Sequence, residues 1–112
     1  MKEVVYGYWI QQDRELLSLT QQRMAQLEEV LGASGSQVSA EWDRSADARG
    51  EAVVTLRLSD FTGSATTVFQ PEELKDPSHM RTRFYLLWSA LLQVRIQHQL
   101  QELQEAGSPE KE

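Results

Sequence analysis

The stretch RFYLLWSALLQVRIQHQLQEL, from Arg83 to Leu103, decides how this chain is built. Phe84, Leu87, Leu91 and Val94 recur at helical spacing, and Tyr85, Trp88, Leu92 and Ile96 form a second stripe beside them. A helix apolar on two adjacent faces must be covered on both, which makes it the central rod of the fold. Beyond Ile96 only Leu100 and Leu103 continue a stripe, among Gln97, Gln99, Gln101, Glu102 and Gln104. The rod therefore leaves its own domain with a narrow apolar seam still to bury. Upstream, Asp76-Pro77 supplies an N-cap followed by proline at the first helical position, and Gly107-Ser108-Pro109 stops the helix after about Glu105.

Working outward, Leu17, Thr20, Met24, Leu27 and Leu31 recur three and four apart, with Leu16 and Val30 widening the stripe. Asp13 before them and Gly32 after them are cap residues, so this is an amphipathic helix. Its opposite face, Gln21, Gln22, Arg23, Gln26, Glu28 and Glu29, reads as solvated. Three alternating segments separate the helices: Val38-Ala40-Trp42, Ala52-Val54-Leu56-Leu58, and Ala65 to Phe69. Arg44 to Gly50 reads as a polar loop, and Ser59 to Gly63 as a turn. Residues 3–10 are rich in aromatic and β-branched side chains and read as a short strand, with a helical start as the competing assignment.

The expected fold is α+β. It comprises an antiparallel meander of three strands, four if residues 3–10 join, packed on one face by two helices. Phe84, Leu87, Trp88, Leu91 and Leu92 should be its most buried residues. Residues 1–106 form one such domain and 107–112 a disordered tail. The order helix, three strands, helix resembles that of the double-stranded RNA-binding domain. The resemblance ends there, because that family carries a basic cluster at the start of its last helix. Here Arg81 and Arg83 stand alone behind Glu72-Glu73.

A net charge of −6 disfavours both a nucleic-acid binder and attachment to an anionic membrane. The chain has no cysteine, so disulfides, thiolate metal sites and cysteine nucleophiles are excluded. It shows no signal-peptide core and no stretch near the roughly 20 apolar residues of a span, so a cytoplasmic location is expected. His79 and His98, the two histidines, are 19 positions apart, about 28 Å on one helix, and cannot share a metal. Glu41 and Asp43 share a strand face, but it is the face opposite Val38, Ala40 and Trp42, and reads as solvated. No phosphate-binding glycine loop, nucleophile elbow or histidine pair at ligand spacing is present. No catalytic residue, cofactor or metal ligand is therefore assigned.

What remains points to a non-catalytic protein-interaction module. The sequence favours a homodimer assembled through the long C-terminal helix, or contact with another protein, with Ile96, Leu100 and Leu103 as the seam. Arg81 and Arg83 sit at the positive end of the helix dipole, and Glu102 and Glu105 at the negative end, each against the usual preference. Local neutralisation by Glu72, Glu73 and Asp76 is the simpler reading. End-to-end pairing in an antiparallel dimer is the sharper one. The alternative function is a small-molecule-binding protein whose pocket between sheet and helices is lined by Trp42, Phe69, Tyr85 and Trp88.

Overall fold

The protein, a computed structural model, is described over residues 1–106; the expected tail lies outside the described residues. Its elements in order are β1 (Glu3–Tyr6), α1 (Tyr8–Gln11), α2 (Arg14–Leu31), β2 (Ser39–Ala46), β3 (Ala52–Asp60), β4 (Gly63–Phe69) and α3 (Pro77–Ala106). Short 3-10 turns at Gly32–Gly35 and Pro71–Lys75 precede β2 and α3. The class is α+β as expected, with a four-stranded sheet ordered β1-β2-β3-β4. Strands β2 to β4 form the antiparallel meander. The additional strand, β1, pairs with β2 in parallel, Glu3 against Ser39 through Tyr6 against Trp42. A parallel pair needs a crossover, and α1 and α2 supply it. The N-terminal stretch is thus strand and helix in succession, divided at Gly7. With β1 in front, the element order no longer matches that of the RNA-binding domain.

The local signals explain the helix boundaries. The Asp13 carboxylate accepts from the Leu16 N–H at 3.1 Å, and Gly32 ends α2 with a φ of 57°. The Asp76 carboxylate accepts from the His79 N–H at 3.1 Å, which starts α3. Strand β2 extends into the expected polar loop: Arg44, Ser45 and Ala46 pair with Val54, Val53 and Ala52. Their side chains are polar or small, yet β3 offers them a full ladder of backbone partners, and the ladder prevails over composition.

Alternation sends Ala40, Trp42, Val54, Leu56, Leu58 and Phe69 to one face of the sheet, where α2 and α3 cover them. Leu16, Met24, Leu27 and Leu31 come from α2, and Met80, Phe84, Leu87 and Leu91 from α3. At the centre the Trp42, Phe69 and Phe84 rings lie with centroids 6.2–6.4 Å apart, Phe84 edge-on to the other two. The Trp42 indole N–H donates to the Met24 sulfur at 3.3 Å. Gln26, expected in solvent, is buried: its amide donates to the Pro77 carbonyl at 2.7 Å and accepts from Arg23 at 2.9 Å. It joins α2 to the start of α3. Trp88 is only half-buried and Leu92 is 36% exposed, so neither belongs to the most buried set.

Where the β3–β4 turn meets α3 the approach is close. Gly63 has a φ of 150°, and a Cβ built there would stand 2.7 Å from a Val94 methyl. Gly63→Ala should therefore destabilise the fold by about 1–3 kcal/mol through clash and backbone strain. In chemical denaturation, adding Val94→Ala should recover part of that loss. Simple additivity of the two changes would show that the contact is not the cause.

Candidate functional site

Helix α3 is 30 residues, about 45 Å long. At about 100° per residue, Met80, Phe84, Leu87 and Leu91 make one stripe, all 4% exposed or less. Tyr85, Leu86, Leu92, Ile96, Leu100 and Leu103 make another, each between 36% and 67% exposed. The two stripes are centred roughly 150° apart, on nearly opposite faces. The expectation that the domain itself covers both apolar faces is therefore corrected: the sheet covers one, and the other faces solvent. Helix α2 does not reach it. His98 is the last half-buried side chain, and residues 99–106 continue beyond it as about 12 Å of helix with every residue exposed.

The structure brings Ile96, Leu100 and Leu103 onto one exposed face as the sequence suggested, and adds residues that the sequence reading placed inside. Positions 85, 89, 92, 96, 99 and 103 alternate in steps of four and three, the spacing of a helix-pairing seam. They are occupied by Tyr85, Ser89, Leu92, Ile96, Gln99 and Leu103, flanked by Leu86 and Leu100. The exposed apolar surface is on the order of 600 Å² for one copy, at the top of the range for a monomer's largest patch.

Two polar clasps fix the orientation of this face. The Arg83 guanidinium donates to Glu73 at 2.7 Å, to the Thr67 hydroxyl at 2.8 Å and to the Val68 carbonyl at 2.7 Å, and lies 4.6 Å over the Phe69 ring. Glu73 also accepts from the Gln70 N–H at 2.6 Å and pairs with His79 at 2.6 Å. Local neutralisation is thus what Arg83 receives, and it is a structural residue. Arg81 is exposed. At the other end Arg95 donates to Asp60 at 2.6 Å and stacks 5.0 Å over Trp88. The Thr62 N–H and hydroxyl fill the other Asp60 oxygen, at 2.8 and 2.6 Å. Phe61 at the hairpin tip stands edge-on to His98 at 5.9 Å.

The four residues expected to line a pocket do not share a space. Trp42 and Phe69 are fully buried against each other, Trp88 is half-buried beneath Arg95, and Tyr85 is half-exposed on the opposite side of α3. On the outer sheet face, Glu41 pairs with Arg57 at 2.8 Å, both partly exposed. Among the described residues no three His, Asp or Glu side chains converge as metal ligands would, and no helix is long and apolar enough to cross a membrane. Comparison of the chain with family models, with curated proteins and with solved structures gives no match.

Burial pushes the Asp60 and Glu73 carboxyls up, but the bonds they accept outweigh it and hold both below the ordinary carboxyl range: Thr62 and Arg95 for Asp60, and Gln70, His79 and Arg83 for Glu73. Groups shifted this way stabilise the fold above their unfolded pKa, and that contribution is lost as pH falls through the folded value. Urea midpoints of the native protein should therefore drop steeply below about pH 4. The Asp60→Asn/Glu73→Gln variant should be less stable at neutral pH and show a shallower acid limb. Parallel curves would mean that neither clasp carries the acid sensitivity.

Proposed function

We propose that this protein is a non-catalytic interaction module that assembles through the exposed face of α3, in the first instance with a second copy of itself. The observation that carries this reading is the apolar stripe from Tyr85 to Leu103, on the helix face turned away from the sheet. A monomer gains nothing from continuing α3 past the end of its own sheet with Leu100 and Leu103 exposed. A partner surface gives those residues a place to be buried. In the assembly, the outer sheet face with Glu41, Asp43, Thr55, Arg57 and Thr66 remains open for a further protein. The ligand-binding alternative is less favoured, because the aromatic side chains on which it depended pack on one another, lie beneath Arg95 or point into solvent.

Light scattering across a dilution series should give a mass near twice 12.8 kDa. Leu100→Glu with Leu103→Glu should weaken association by about 3 kcal/mol or more, a factor of roughly 100. The far-UV spectrum and the melting of the separated subunit should be unchanged, since both residues lie past the last buried position. A monomeric native protein, or a double variant that unfolds, would overturn the reading.

A further inference from the structure

The geometry points to a specific arrangement of that assembly: two α3 helices stacked face to face and antiparallel, with residue i beside residue 188 − i of the second copy. This inference rests on the proposed self-association and adds its direction and register. Three features of α3 lead to it.

The first is extent. The apolar seam runs from Tyr85 to Leu103, but the sheet supports α3 only as far as His98. Two parallel copies would place the projecting segments 99–106 side by side with nothing else against them. That stretch of about one heptad would then be a free-standing coil backed by neither sheet. In the antiparallel arrangement each projecting segment lies over residues 82–89 of the other copy, the part of α3 that its own sheet backs. The projection is then covered along its whole seam, and no unsupported coil is left.

The second is fit. Under the antiparallel register Tyr85 meets Leu103 and Leu92 meets Ile96, so the large apolar residues pack in mixed pairs. The two polar seam residues, Ser89 and Gln99, fall opposite each other, a small side chain beside a long one that can hydrogen-bond to it. The parallel arrangement would set Tyr85 on Tyr85 and Ser89 on Ser89, crowding one layer and leaving the next underfilled. Helix dipoles also oppose favourably when antiparallel.

The third is area. Each copy contributes on the order of 600 Å², which gives a total of about 1,200 Å², the lower bound of a stable specific interface. The contact is isologous and closes on itself, so assembly stops at two. Because the seam faces away from the sheet, the product is a four-layer sandwich: sheet, α3, α3, sheet. The polar faces of both sheets are outermost.

The chain has no cysteine, so engineered thiols report without background. Ser89 and Gln99 are both exposed and can be replaced at little cost to the fold. They are ten residues apart in one helix, about 15 Å, too far for a disulfide within a copy. The Ser89→Cys/Gln99→Cys protein, treated with copper phenanthroline or a short bismaleimide, should convert largely to covalent dimer. Each single variant should remain uncrosslinked while keeping the dimer mass by light scattering. Efficient cross-linking of the Ser89→Cys variant alone would show the parallel arrangement and overturn the inference. A dimer mass with no cross-link in any variant would place the interface elsewhere and also overturn it, while leaving self-association intact. A monomer mass for the native protein would instead remove the self-association on which the arrangement rests.

Discussion

The structure depends on one contact above all: the meeting of Trp42, Phe69 and Phe84. These three rings come from β2, β4 and α3, and Trp42 reaches α2 through the Met24 sulfur. Every layer of the domain therefore touches one aromatic cluster, and all three rings are fully out of solvent. Burying side chains of this size supplies a large share of what a chain of 112 residues can gain from its core. The edge-on placement of Phe84 sets the height of α3 above the sheet. The polar clasps then settle its rotation. Arg83 grips the end of β4 and Arg95 grips the end of β3, one on each side of the aromatic cluster. With both ends tied, the second face of α3 has one direction in which to point.

That rotation creates a conflict that the domain does not resolve internally. Helix α3 is apolar on two opposed sides, and a two-layer domain has room to cover one. The glutamines between the seam residues keep the exposed side compatible with water, while Tyr85, Leu92 and Ile96 keep it apolar.

Much of this architecture is legible in the residues. Asp13, Gly32 and Asp76-Pro77 mark helix ends by local chemistry, and the alternation in 52–58 marks a strand, because those signals depend on neighbours in sequence. What could not be read depends on neighbours in space. Periodicity gives a strand its faces but not its partner, so the parallel pairing of β1 was hidden, as was the extension of β2 through Arg44 to Ala46. Gln26 looks like a solvated residue until the Pro77 carbonyl is placed beside it. Arg83 read as a charge at the start of the rod and Arg95 gave no signal of its own; their roles appear only with Glu73 and Asp60 across from them. The stripes of α3 were visible as letters, but stripes counted as adjacent proved nearly opposite once Leu86 and Leu100 were included and Trp88 was left out. The seam at 85, 89, 92, 96, 99 and 103 was there to be counted, and its regular four-three alternation was the signal that a second helix face was in play.

The parallel strand at the start of the chain has a consequence for how the protein is made. Glu3 pairs with Ser39 and Tyr6 with Trp42, each 36 positions further on, whereas β2, β3 and β4 pair through short turns. The meander can zip from its hairpins as soon as they leave the ribosome, but β1 must wait for α2 to form and for β2 to arrive beside it, since the closure of so long a loop has to be compensated by contacts already made. Of the strands described, the first to be synthesised is among the last to be placed. Until they dock, β2 is an open sheet edge, and Lys2 and Gly7, which bond to the Val38 and Trp42 carbonyls, are the ends of the strip that closes it.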